Sequence, residues 1–150
     1  MEPRPERYLS KFAQLANGTL TEITASDLKG IETIVYYAFG QCYLLERVEI
    51  PDSVKSIGIS AFVGCKSIKE LRFGKNSKIN VIESNAFDWC TELSKVYLPI
   101  KPPVLTNVNA FQNIKGSCTF YCKTQASLDA YKATENWSTL AGTYSFVVEA

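Results

Sequence analysis

Histidine is absent from this chain of 150 residues. That removes the commonest general base, the usual partner of a serine or cysteine nucleophile, and the commonest metal ligand. A dominant charge is also missing: 16 basic and 15 acidic side chains leave a net charge of +1. No global field therefore draws the chain to nucleic acid or anionic lipid. No apolar run approaches the ~20 residues needed to cross a bilayer, which argues against membrane insertion. The opening Met1-Glu2-Pro3-Arg4-Pro5-Glu6-Arg7 carries no apolar stretch of the kind a secretory leader needs. Localisation thus stays open between a chain that remains inside, one exported by a route these residues do not encode, and a piece of something larger. At 46% hydrophobic residues, the length suits one folded domain with a sizeable core.

What the sequence does have is a phrase that returns: Ala38-Phe39, Ala61-Phe62, Ala86-Phe87 and Ala110-Phe111, at intervals of 23, 25 and 24 residues. A near-constant period in this range signals one supersecondary unit stacked on copies of itself. Three copies place a cysteine three residues past the Phe (Cys42, Cys65, Cys90), and three place an isoleucine four residues before the Ala (Ile34, Ile57, Ile82). Further upstream run the apolar triplets Leu20/Ile23/Ala25, Leu45/Val48/Ile50, Ile68/Leu71/Phe73 and Leu93/Val96/Leu98, with a degenerate fifth copy ending in Phe120 and Cys122. The last two positions of each triplet alternate with polar residues, as a half-buried strand requires. Pro51, Gly74 and Pro99 then end the strand and turn the chain.

Each coil therefore reads as strand, turn and irregular return leg, with Ile, Ala-Phe and Cys pointing inward. One coil cannot bury these side chains; stacked coils bury them as ladders. The predicted ladder is Phe39, Phe62, Phe87 and Phe111, with Cys42, Cys65 and Cys90 beside it. In the fourth unit, Asn113 is expected at the cysteine position and Thr106 at the inward isoleucine position, as in a cap. Tyr8, Leu9, Phe12, Leu15 and Ala16 have helical spacing before the helix stop Asn17-Gly18. Thr124 to Ala133 reads as a helix with Leu128 and Tyr131 on one face, followed by Trp137, Leu140 and an apolar tail from Tyr144 to Val148. The expected organisation is one domain over residues 1–150: a helical cap at 6–17, repeats at 18–113 and a C-terminal cap at 114–150. Helices at both ends would cover the otherwise open sheet edges and bare core.

The run Ile50-Pro51-Asp52-Ser53-Val54-Lys55-Ser56-Ile57-Gly58-Ile59-Ser60-Ala61-Phe62-Val63-Gly64-Cys65-Lys66-Ser67-Ile68 resembles the repeat of BspA-like leucine-rich repeat proteins. Pro102-Pro103-Val104, Cys118 to Tyr121, Ser127 to Ala133 and Trp137-Ser138 resemble that family's terminal cap. The likeness covers roughly residues 18 to 142. It implies an α/β horseshoe-type fold: a right-handed, strand-rich solenoid with a parallel sheet on one face. It also implies a binding role at bacterial or protist cell surfaces, host matrix proteins included, and no enzymatic activity. The stretch from Tyr8 to Ile31 is similar, in addition, to short repeat proteins of bacterial and prophage sequences.

Equivalent residues on neighbouring parallel strands lie ~4.8 Å apart. Two columns point outward: Glu22, Arg47, Glu70, Lys95, Thr119, and Thr24, Glu49, Arg72, Tyr97, Tyr121. The first alternates in sign, which suits register control, since opposite cross-strand pairs contribute ~0.2–1 kcal/mol and like pairs repel. The second ends in two tyrosines beside an arginine, the residue types of binding hot spots, on the face solenoids commonly use. Both readings can hold, and the candidate binding residues are Arg47, Glu49, Glu70, Arg72, Lys95, Tyr97 and Tyr121.

The stacked cysteines read as inert core thiols. A zinc site needs about four convergent ligands that nothing supplies. Cys118 and Cys122, ~13 Å apart in a strand, cannot bridge each other. The sequons Asn17-Gly18-Thr19 and Asn136-Trp137-Ser138 suit turn or helix-end roles better than glycosylation. Carboxylate pairs such as Glu46/Glu49 and Glu70/Glu92 have no histidine, phosphate loop or cleft around them, so hydrolysis is disfavoured. Tyr36, Tyr37 and Tyr43 read as partly exposed turn residues. The expectation is a non-enzymatic module without a cofactor, monomeric or weakly oligomeric, that binds a protein or glycan through its strand face. The rival reading is a structural spacer in a larger surface or phage-tail-associated assembly.

Overall fold

The computed structural model describes residues 19–150. The helix expected over residues 6–17 lies outside the described residues. In chain order the elements are β1 (Glu22–Ile23), β2 (Thr33–Ile34), β3 (Arg47–Ile50), β4 (Ser56–Ile57), β5 (Glu70–Phe73), β6 (Val81–Ile82), β7 (Lys95–Tyr97), β8 (Val104–Leu105), a 3-10 turn (Val108–Phe111), β9 (Thr119–Cys122), α1 (Gln125–Ala133), α2 (Trp137–Thr143) and β10 (Ser145–Val148). They form two sheets, one ordered β1-β3-β5-β7-β9-β10 and the other β2-β4-β6-β8, with every pair parallel. Each coil of the backbone thus lays one strand in the larger sheet and one in the smaller, which is the stacked architecture the period demands.

A third hydrogen-bonded side, missed by the sequence, runs along the Ala-Phe turns. The N–H groups of Phe39, Phe62 and Phe87 each donate at 2.8 Å to the carbonyl of the Ala in the following coil, Ala61, Ala86 and Ala110. Residues in the left-handed conformation flank each phrase: Tyr37, Ser60 and Asn85 directly before the Ala, and Gln41, Gly64, Trp89 and Asn113 two past the Phe. Left-handed steps turn successive peptide groups so that they point along the stack and reach the neighbouring coil. Only Asn and Gly adopt that conformation cheaply, so Tyr37, Gln41 and Trp89 gave no advance sign of it.

Between the three sides lies a dry core. Phe39, Phe62, Phe87 and Phe111 stack with ring centroids 5.2, 5.1 and 5.3 Å apart and planes within 14° of parallel. Ile34, Ile57, Ile82 and Leu105 form a second buried ladder in the smaller sheet, and Ile31, Val54 and Ile79 a third. The cysteines do more than fill space. The Cys65 thiol donates to the Phe39 carbonyl (3.0 Å) and the Cys90 thiol to the Phe62 carbonyl (3.3 Å), each a second bond to an acceptor that already takes a backbone N–H.

The fourth coil corrects two expectations. Leu105, not Thr106, is the inward partner of Ile82, and Thr106 is exposed. One extra residue between β8 and Ala110 is taken up in the 3-10 turn, so counting back four from the Ala-Phe phrase stops one residue short. The cysteine position is filled by the buried Ile114, three past Phe111, while Asn113 takes the left-handed position and its amide donates to Asp88 (3.0 Å).

The intervals of 23, 25 and 24 now have places. Residues 51–55 join β3 to β4, whereas residues 74–80 join β5 to β6, two longer. The single extra residue of the last interval is the one absorbed before Ala110. The ladder tolerates no insertion because three hydrogen-bonded sides fix its register; the corners do.

At the C-terminal end, α1 begins where expected, with the Thr124 hydroxyl capping the Ser127 N–H. The tail from Tyr144 is a sixth strand of the larger sheet, β10, with Phe146 stacked on Phe120 at 4.6 Å. Trp137, fully buried, tilts against Phe111 and so closes the aromatic column. Four side chains of this end bind carbonyls of the segment 99–105: Tyr131 to Pro99 (2.7 Å), Ser127 to Ile100 (2.7 Å), Trp137 to Pro103 (2.8 Å) and Asn136 to Leu105 (2.6 Å). The Asn136 amide of the second sequon is thus engaged inside the protein.

Candidate functional site

The outward face of the larger sheet carries all seven candidate binding residues. Register places Glu22, Arg47, Glu70, Lys95 and Thr119 in one row across the strands, and Glu49, Arg72, Tyr97 and Tyr121 in the next. Thr24 is not in the second row: it lies past the end of β1, in a turn closed by its own bonds to Asp27 (2.8 and 3.0 Å). The added strand β10 extends the two rows with Ser145 and Val147. The apolar tail from Tyr144 to Val148 was the sign of that extension in the sequence.

Within this face the two rows behave differently. Arg47 reaches Glu70 at 3.1 Å, Glu49 at 3.6 Å and Glu22 at 4.0 Å, and the other oxygen of Glu70 takes Arg72 at 3.6 Å. Glu70 therefore spends both oxygens on arginines. Lys95, aligned with Glu70, is left exposed with no ion pair among the described residues. The simple sign alternation of that row breaks there, because the guanidinium fork outcompetes a single ammonium for a carboxylate.

The second row is an aromatic platform. The Arg72 guanidinium lies over the Tyr97 ring at 3.8 Å, and Tyr97 stacks on Tyr121 at 4.7 Å with planes 12° apart. Stacking on the ring hides the Arg72 Nε, which is buried without a hydrogen-bond partner among the described residues. Arg72 is thus held over the tyrosine ring and by Glu70, which takes one of its terminal nitrogens, while its side chain stays partly exposed. A guanidinium fixed in this way loses little freedom on binding.

The other chemistry-bearing residues are accounted for by packing. All five cysteines are free and buried. Burial pushes the Cys118 thiol up to about 12 and the Cys122 thiol up to about 11, and it also raises Cys90. Hydrogen bonding with Cys42 and burial raise Cys65. A hydrogen bond with Cys65 lowers Cys42 instead, against the opposing effect of burial; the other four are held as thiols, and the thiolate is the nucleophilic form. Glu46 pairs with Lys69 at 3.3 Å and Glu92 with Lys115 at 3.8 Å, so neither suspected carboxylate pair converges. Among the described residues no group of three or more Cys, Asp or Glu is placed to hold a metal ion, and no helix is long and apolar enough to cross a membrane.

This geometry agrees with a family profile, that of the BspA type leucine rich repeat region, which matches residues 10–132 in six copies. The chain belongs to this family. The profile counts six copies where the Ala-Phe phrase marks four and the Phe120–Cys122 remnant a fifth. A comparison with curated proteins finds no match. BspA-type repeats are protein-interaction modules and typically non-enzymatic.

Proposed function

We propose that this BspA-type chain is a binding module that recognises a protein or glycan through the exposed face of its larger sheet. The supporting observation is the Arg72–Tyr97–Tyr121 stack, a preorganised cation on an aromatic base of the composition found at interface hot spots. Lys95 and Glu49, two strands apart, would steer a partner's polar groups, while Arg47 and Glu70 chiefly hold register. The reading takes the coils to be right-handed, as parallel strand crossovers are, and extends to an adhesive role at a bacterial or protist cell surface, which the family resemblance implies. A spacer role in a larger assembly is favoured by one observation only: the first row is ion-paired across the coils from Glu22 to Glu70, as a purely structural stack needs.

The test is capture on an immobilised panel of extracellular-matrix proteins and glycans. The intact chain is compared with an Arg72→Ala/Tyr97→Ala/Tyr121→Ala variant. Retention by a panel member that drops on the order of a hundredfold in the variant supports recognition here, since hot-spot truncations cost about 1–2 kcal/mol or more each. Equal retention of both proteins would move the site elsewhere.

A further inference from the structure

A second surface lies apart from the strand face, at the corner where the chain leaves the larger sheet for the smaller one. A shallow cleft of about 520 Å³ opens there between residues 75–80 and residues 100–101. That volume lies in the range of ligand sites, ~300–1,000 Å³. Its lining includes four lysines, Lys55, Lys75, Lys78 and Lys101, and among the described residues no acidic one. Lys55 is shared with Glu32 at 3.3 Å; the other three make no ion pair among the described residues. Four cations converge here in a chain whose total charge is only +1.

The walls are built rather than incidental. The two residues that lengthen the third coil fall in the wall 74–80. Asp52 holds that wall, accepting the Asn76 N–H at 3.0 Å through its side chain and the Lys78 N–H at 3.2 Å through its carbonyl. A side chain at Gly74 would run into Asp52, so glycine is what lets the loop close on it. The facing wall, Ile100–Lys101, is pinned by Ser127 and Tyr131 of α1. Held at both sides, the lysines present their charge without ordering a loop on binding.

We propose that this cleft binds a sulfated oligosaccharide. Ammonium groups contact tetrahedral sulfate oxygens as separate point charges, which suits several lysines around one chain of sulfates. Asn76, Ser77 and Asn80 line the same cleft and match sugar hydroxyls, and the half-exposed Ile100 offers an apolar surface for a pyranose face. A single-stranded nucleic acid is the poorer fit, since among the described residues no aromatic one lines the cleft for a base to stack on. This site is independent of the strand-face reading.

The test titrates the full chain with a heparin-derived hexasaccharide, its desulfated counterpart, inorganic sulfate and a single-stranded oligonucleotide of equal charge. Affinity is read by calorimetry and the site by amide shift changes. The expected result is binding of the sulfated hexasaccharide alone at physiological salt, with shifts confined to Lys55 and residues 75–80 and 100–101. Lys75→Ala/Lys78→Ala/Lys101→Ala is expected to weaken binding on the order of tenfold, from three exposed charge contacts. Arg72→Ala/Tyr97→Ala should leave it unchanged, which separates this site from the strand face. The proposal is overturned if the lysine variant binds as well as wild type, if the shifts map elsewhere, or if the oligonucleotide or inorganic sulfate binds as tightly. Should the lysine variant misfold, the shift map on the wild-type chain decides.

Discussion

Replacing Phe62 by alanine is the most direct challenge to the stacked core. Its ring is fully buried, with Phe39 at 5.2 Å on one face and Phe87 at 5.1 Å on the other. Truncating a buried Phe costs about 3–5 kcal/mol through lost transfer energy and the residual cavity. Two stacked pairs vanish with it, each worth about 0.5–1.5 kcal/mol beyond area. The cavity cannot collapse easily, because the coils above and below are held in register on three hydrogen-bonded sides. The expected loss is therefore at the upper end, about 5 kcal/mol. A domain of this size holds roughly 5–15 kcal/mol in total, so the variant sits near the edge of folding. Ile57→Val, in the adjacent ladder and equally buried, supplies a milder measure at about 1 kcal/mol. Urea unfolding followed by circular dichroism measures both, with the m-value checking that the transition stays two-state. A cost below about 1 kcal/mol for Phe62→Ala would refute the continuous ladder, since it would equal that of an ordinary surface change.

Three further outcomes follow from the same geometry. Arg47→Ala is expected to cost about 1 kcal/mol at low salt and less at high salt, because its ion pairs are half-exposed and screened; a cost above 3 kcal/mol in urea unfolding would mean the face is buried by something else. A thiol reagent should modify none of the five cysteines quickly in the native protein and all five after denaturation, since each is no more than 1% exposed; rapid labelling of any one would contradict the packing. Stability should fall steeply in alkali. Burial raises Cys90 and holds Cys118 near about 12 against about 9 unfolded, so their contribution is complete below pH 9 and is lost as pH rises towards the folded values. These two thiols alone imply a decline that starts near pH 9 and approaches roughly 3 kcal/mol per pH unit only above about pH 10, and a flat urea midpoint between pH 8 and 10.5 would refute it.

What could be read from the chain beforehand divides along a physical line. Ladder positions were legible because burial forces apolar residues into fixed offsets, and the outward rows because a strand alternates with period two. Helix α1 announced itself through Thr124, Leu128 and Tyr131. The third hydrogen-bonded side was not legible, since Tyr37, Gln41 and Trp89 adopt a left-handed backbone that their side chains do not signal. The slip from Leu105 to Thr106 arose because a 3-10 turn absorbs a residue without marking it in composition. The binding face was legible as rows but not as pairings: that Glu70 would take both arginines and leave Lys95 free depends on reach, which spacing does not encode. The lysine cleft was invisible for a stronger reason. Lys55, Lys75, Lys78 and Lys101 come from three different coils and converge only once the corners are stacked.

The irregular intervals carry the functional argument further than the regular ones. A coil of 23 residues suffices to lay both strands and the Ala-Phe turn, as the Ala38 to Ala61 interval shows. Added residues bring no further ladder position, so they contribute nothing to the core and must be accommodated where register is not fixed. The two in the third coil lie in the corner that carries Lys75 and Lys78, opposite a segment that α1 and α2 grip through side-chain hydrogen bonds to four backbone carbonyls. The two of these bonds that reach buried carbonyls, at Pro99 and Pro103, stiffen the segment most, because breaking one leaves an unsatisfied acceptor costing about 1–3 kcal/mol. The C-terminal helices therefore do two things at once: they shield the last coil of the core from water and they immobilise one wall of the cleft. A repeat protein acquires a site of this kind without disturbing its stack, provided the change is confined to a corner and a neighbouring element braces it.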